Sequence, residues 1–91
     1  MTIDPDGRRV VLTERAWLHV KSEHPNLARQ LGDVMTAVRE PDSRLPGRAV
    51  SEEWFFLETA RPGRWLQVVV HYEGAEGWIV TAFARKSLPG A

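Results

Sequence analysis

The chain contains no cysteine, which excludes disulfides and thiolate metal sites. It has no long apolar run, and its first residues lack the apolar centre of a secretion signal. The expectation is a soluble, cytoplasmic protein that makes no membrane contact. Neither sign of charge is in excess: twelve Lys and Arg balance twelve Asp and Glu. Net positive charge is what usually drives non-specific binding to nucleic acid, so that behaviour is disfavoured. Ten of the twelve basic residues are arginine. The planar fork of arginine suits phosphate, although such enrichment also follows from GC-rich coding. There is no basic run, low-complexity stretch or internal repeat. At 91 residues the chain has room for one domain, 1–91 with a core over about 8–86, and not for a second core.

What is present is aromatic: four Trp and three Phe must supply much of a modest core. Asp4-Pro5-Asp6-Gly7 reads as a frayed start and a turn, and Arg8 to Leu12 as a short β-prone stretch. Thr13 is a good N-cap with Glu14 in the first turn, which predicts a helix from about Glu14 to Glu23. Pro25 biases His24 away from helical torsions and suits the first position of a new helix. Leu27, Leu31, Val34, Met35 and Val38 then keep a helical period as far as Glu40, before Pro41. Ser43 to Val50, with Pro46-Gly47, reads as a loop. The period then changes to two, giving strands over Glu53–Ala60, Trp65–Glu73 and Trp78–Arg85. Turns fall at Arg61-Pro62-Gly63-Arg64 and Gly74-Ala75-Glu76-Gly77. The tail from Leu88 reads as loose. Helices followed by a meander of strands predict an α+β domain. Its two N-terminal helices pack on one face of a four-stranded antiparallel β-sheet, leaving the other face open.

Alternation assigns the faces. Leu66, Val68, Val70 and Tyr72 form an apolar set, and Trp78, Val80, Ala82 and Ala84 another. Gln67, His71, Thr81 and Arg85 are then expected on a common half-polar face, with Trp65 and Phe83 among them. These aromatics serve either as sheet packing or as platforms for nucleobases. Histidine is the side chain that exchanges a proton near neutral pH. His24 shares a helix face with Trp17 and Val20, so it is either a packed histidine bonded to backbone or an acid–base group. His19, beside Glu23, lies nearer the polar side. His19 and His24 are five apart, which does not match the i, i+4 spacing of a zinc helix, and His19-x-x-x-Glu23-His24 is one residue too long for the inverted zinc motif. Neither a metal nor another cofactor is expected. Arg44 is loop-borne in this reading, as a solvated charge or a phosphate clamp. Histidines, an arginine and a threonine are suitable parts for RNA cleavage without a metal. A base takes the ribose 2′-OH proton, an acid protonates the leaving oxygen, and donors steady the charge between them.

Three stretches in order carry a family likeness: Trp17-Leu-His19-Val-Lys-Ser-Glu23-His24-Pro25, Leu66-Gln-Val-Val-Val70 and Gly77-Trp-Ile-Val-Thr81-Ala-Phe83. Together they resemble small phage-associated nuclease domains of the barnase–EndoU–colicin–RelE-like (BECR) superfamily, bacterial toxin modules among them. The resemblance implies a helical N-terminal part, a four-stranded antiparallel sheet and metal-independent ribonuclease activity on the exposed face. It implies RNA as substrate and a cognate inhibitor, or antitoxin, as partner. His24 matches the histidine before the proline, His19 the earlier helical histidine and Thr81 the hydroxyl of the last strand. The expected catalytic set is thus His24, His71, Thr81 and His19, with Arg44, Arg85, Trp65 and Phe83 binding substrate. Three positions depart from the pattern. Glu23 stands where arginine is common, His71 where a basic residue often follows the valines, and Phe83 where tyrosine is frequent. Each change removes a positive charge or a hydroxyl. With the balanced charge, they favour the alternative of a non-catalytic binding module that holds a protein partner or ligand on the open sheet face.

Overall fold

The computed structural model describes residues 1–59 and 63–90. Two short strands come first, β1 (Thr2–Ile3) and β2 (Arg9–Val11). The helix α1 (Glu14–Glu23), a single 3-10 turn (Pro25–Leu27) and α2 (Leu31–Arg39) follow. Four strands complete the chain: β3 (Ser43–Pro46), β4 (Glu52–Glu58), β5 (Trp65–Glu73) and β6 (Glu76–Arg85). All six strands form one sheet in the order β1-β2-β6-β5-β4-β3. Every neighbouring pair is antiparallel except β2 and β6, which run parallel with Val10 opposite Gly77.

This corrects the expected four-stranded antiparallel sheet with both helices leading. The domain is α+β, but its sheet is six-stranded and mixed, and two strands precede the helices. The β2 strand falls within the β-prone stretch Arg8 to Leu12, whereas β1, two residues long, is too short for a period-two signal to register. Their pairing also joins residues more than sixty positions apart. The β3 strand was hidden by Pro46, which an edge strand tolerates because its N–H side is not in the ladder. Of the turn before β5, Arg61 and Pro62 lie outside the described residues, as does Ala60 at the end of the expected preceding strand.

Local chemistry accounts for the helices. The Thr13 hydroxyl accepts the Ala16 N–H at 3.1 Å and caps α1. At the other end the His24 N–H donates to the Val20 carbonyl at 2.8 Å. His24 then leaves the helix at φ −134° and ψ 73°, as the following proline requires. Pro25 opens only the 3-10 turn, and α2 restarts at Leu31. The helical period counted from Leu27 therefore spans a break, and Leu31 ends 42% exposed. Val20, Leu27, Val34, Ala37 and Val38 bury against Val10, Phe55, Leu66, Val68, Val70, Tyr72, Ile79 and Ala82 on the inner face of the sheet. Each large apolar side chain so buried contributes about 1.5–3 kcal/mol.

The β5–β6 hairpin turns through Gly74 and Ala75, with Gly74 at φ 62°. A positive φ at the first of two loop residues suits a II′-type hairpin. At the far side of this turn Tyr72 stands opposite Gly77. A Cβ on Gly77 would lie 2.8 Å from the Tyr72 ring and 2.9 Å from Val70 Cγ1. Gly77→Ala is accordingly expected to destabilise the fold by about 1–3 kcal/mol through overpacking, read as a lower urea midpoint. A midpoint at or above that of the parent would show that the ring moves aside without cost.

The sheet curls around its helices. In a flat sheet three strand spacings, about 14 Å, would separate β2 from β4. Yet Arg8, just before β2, bonds Glu53 on β4 at 2.6 Å, and Asp6 bonds Arg44 on β3 at 2.7 Å. The turn at Asp4 to Arg8 is thus no frayed start. It is the clasp that brings the two ends of the sheet together.

Candidate functional site

The outer face of the sheet, away from the helices, carries most of the residues singled out by sequence. Cross-strand register sets His71 opposite Trp78, Val69 opposite Thr81, Gln67 opposite Phe83 and Trp65 opposite Arg85. The face expected for Gln67, His71, Thr81 and Arg85, with Trp65 and Phe83 among them, is the one observed. Trp78, Val80 and Ile79 are not where strict alternation put them. Val69 pairs with Thr81 but Val70 pairs with Ile79, so Val80 is an extra residue in β6, a β-bulge. Ile79 is therefore core, at 2% exposure, while Trp78 and Val80 stand out at 36% and 49%. Bulges re-aim side chains and recur beside functional sites. Here the bulge is what turns Thr81 outward, because unbroken alternation from Ile79 would turn it into the core.

The α1–Pro25 corner brings His24 to this strand. Its ring lies 5.9 Å from that of Phe83, tilted by 37°. It is half-buried, and its side chain makes no hydrogen bond among the described residues. His24 therefore does not behave as a core histidine bonded to backbone. Its neighbour is the aromatic ring one outward position along from Thr81. His71 lies further off. It is four residues along β5 from the Phe83 rung, about 13 Å at strand spacing, with Nε2 3.6 Å from Glu73. Diagonal neighbours on a sheet are about 7–8 Å apart, so Thr81 stands between the two histidines. His19 is exposed on α1 and joins neither.

Arg44 is not a loop arginine. It lies on β3, opposite Phe55 on the inner side, and bonds Glu53 at 2.8 Å and Asp6 at 2.7 Å. These carboxylates hold its pKa above the ordinary arginine value, although its burial works against them. Its neighbours form the clasp, which sequence reasoning missed. The Asp4 side chain is fully buried. It accepts the Tyr72 hydroxyl at 2.7 Å, Arg8 Nε at 2.9 Å and the backbone N–H groups of Asp6 and Arg8, both at 2.9 Å. Burial alone would raise the Asp4 carboxyl, but the Tyr72 hydroxyl, the Arg8 N–H and the Arg8 charge outweigh it and hold it below its usual 3.8. Glu53 is likewise lowered by Arg44 and Arg8 against the effect of burial. Tyr72 is raised by burial and by its bond to Asp4, and the Arg8 guanidinium lies 3.6 Å over its ring. An Asp-Pro-Asp-Gly turn followed by arginine was the available signal, yet its partners lie dozens of residues away.

Two open depressions lie on the helical side, the wider about 360 Å³ and lined by Met1, Leu12, Thr13, Glu14, Trp17, Leu31 and Met35. Neither includes His24, Thr81 or Phe83. The outer face is partly covered: Phe56, Gln67 and Val69 on it are buried, and His71, Thr81 and Phe83 beside them are half-buried. Among the described residues no three His, Asp or Glu side chains converge to hold a metal ion, and no helix is long and apolar enough to cross a membrane. No known protein family, curated protein or solved structure matches the chain.

Proposed function

We propose that the protein is a metal-independent ribonuclease-like domain, acting in the cytoplasm as a toxin module with a cognate inhibitor. The observation that carries the reading is the corner at His24. It sets an imidazole beside Phe83, on the strand and face to which a bulge has turned Thr81. In this reading the ribose 2′-OH of RNA attacks the adjacent phosphorus. The 2′-O–P bond forms, the P–O5′ bond breaks, and the 2′ proton passes to a base while an acid protonates the 5′ oxygen. His24 is one of these two groups. Thr81 donates a hydrogen bond to the phosphoryl oxygen as charge builds there. His71 approaches from the far side of Thr81 as the second acid–base candidate, and Phe83 and Trp65 stack bases. Arg44, held by two carboxylates on the inner face, has no part.

The test is cleavage of single-stranded RNA by the purified protein in EDTA. Products ending in 2′,3′-cyclic phosphate are expected. Cleavage that needs an added metal, or none at all, would overturn the proposal. A second reading, a non-catalytic module that binds a protein on the same face, draws on the exposure of Trp78 and Val80. It requires that the protein fail to cleave RNA while Trp78→Ala releases the bound partner.

A further inference from the structure

Among the described residues, Arg8, Arg44 and Arg85 each make two or more guanidinium hydrogen bonds, and one differs from the other two. Arg8 and Arg44 each bond more than one carboxylate, so their charges are neutralised within the clasp. Arg85 has no carboxylate within ion-pair distance among the described residues. It is held by neutral carbonyl oxygens instead. Its Nη1 donates to Gln67 Oε1 at 2.9 Å, and its Nε to the Ser87 backbone carbonyl at 3.0 Å. Gln67 is 2% exposed, a buried amide in the middle of a strand that is otherwise valine-rich. A buried side-chain amide is costly unless bonded, and among the described residues the side-chain bond that Gln67 makes is the one to Arg85.

A guanidinium carries five N–H donors. Two are taken by Gln67 and Ser87, which leaves three with no protein acceptor among the described residues. The group is thus ordered, half-buried and uncompensated in charge, with donors in a planar fork. That is the arrangement that binds a phosphate in two-point fashion. Arg85 is four residues along β6 from Thr81, about 13 Å at strand spacing, on the same face. At that spacing it is too far along the strand to serve the same phosphorus as Thr81, and suitably placed for a phosphate further along the same RNA strand.

We infer that Gln67 and Arg85 form a preformed subsite for a phosphodiester flanking the scissile one, with Arg85 the ligand and Gln67 its positioning residue. The inference rests on the ribonuclease reading of this face. It predicts an effect on substrate affinity rather than on the chemical step.

The experiment uses the full chain and a short single-stranded RNA of mixed sequence. Gln67→Met keeps the volume of the buried side chain but removes the acceptor. Arg85→Met removes the charge. For each, KM for the RNA is expected to rise about tenfold, the worth of one charge-assisted contact, with the loss on KM rather than kcat. The double variant is expected to lose no more than Arg85→Met alone, because Gln67 acts through Arg85. In ¹⁵N spectra the Arg85 Nε–H resonance is expected to be sharp and dispersed in the parent, and to collapse in Gln67→Met. A Gln67→Met variant that unfolds at lower urea, yet keeps KM and the Arg85 resonance, would overturn the inference and leave the pair a fastening for the tail. So would additive losses in the double variant. If the parent neither cleaves nor binds the RNA, the ribonuclease reading falls and this subsite with it. If the parent cleaves and only the KM effects fail, the subsite alone falls.

Discussion

Asp4→Ala lowers the unfolding free energy by about 3–5 kcal/mol, the cost of breaking a buried charged network from one side. A chain of this length has about 5–14 kcal/mol in all, so the variant unfolds at a much lower urea midpoint. The size follows from what the carboxylate does. Its side chain is fully buried and accepts four hydrogen bonds, from Tyr72, from Arg8 Nε and from two backbone N–H groups. Removing it leaves the Tyr72 hydroxyl buried without its acceptor and Arg8 without one of its carboxylate partners. It also frees the Asp4–Arg8 turn that ties β2 to β3 and β4. Asp4→Asn, which keeps the shape and one acceptor, loses less. The same network sets an acid limit. The pKa values of Asp4 and Glu53 are lower in the folded state than their ordinary 3.8 and 4.5. The unfolded chain therefore takes up protons first as pH falls. Their stabilisation is complete above about pH 5 and is lost as pH drops through the ordinary values toward the folded ones. Urea titrations from pH 7 down to pH 3 are expected to show this loss in the parent, and a shallower loss in Asp4→Ala. A midpoint shift worth less than about 1 kcal/mol, typical of a surface ion pair, would show that the clasp does not hold the sheet closed.

The second large effect is on activity. His24→Ala is expected to lower the rate of RNA cleavage in EDTA by two to four orders of magnitude, the usual contribution of one positioned acid–base group. The fold is expected to survive, because His24 is half-buried at a helix cap and its backbone bond to Val20 does not depend on the side chain. An unchanged urea midpoint beside a lost rate would separate chemistry from folding. His71→Ala serves as the comparison. His71 sits about 13 Å from the Phe83 rung by strand spacing, with Glu73 as its neighbour. Equal losses in both variants would make the two histidines the acid and base of one reaction across Thr81. A loss in His24→Ala alone would leave His71 outside the chemistry. A fully active His24→Ala variant would return that ring to the role of packing against Phe83.

The site was legible in part because its pieces are local. Thr13 caps α1 within three residues, Pro25 ends it at the next position, and both act through their own backbone neighbours. The corner at His24 could therefore be placed from sequence. The outward row on β5 followed from period-two alternation, which a single strand carries by itself. On β6 the same rule failed at one point. The Val80 bulge shifted the phase, sent Ile79 into the core and turned Trp78 out. Nothing in the stretch Trp78-Ile79-Val80-Thr81 marks that insertion, because a bulge is a mismatch between two strands and only the pair reveals it.

By itself, then, the sequence determined the α+β composition, the bounds of α1, the β5–β6 hairpin and the row Thr81, Phe83 and Arg85 on one strand face. Each depends on caps, turns and periods that act over a few residues. Tertiary structure alone decided the parallel pairing of β2 with β6, the extra edge strands and the curl of the sheet. It also decided the fate of the charges. Arg44 and Arg85 are the same side chain in sequence, yet one meets Glu53 and Asp6 and is neutralised, while the other meets Gln67 and Ser87 and keeps its charge. The physical reason is that a charge is defined by its partners, and in a curled sheet those partners come from distant parts of the chain.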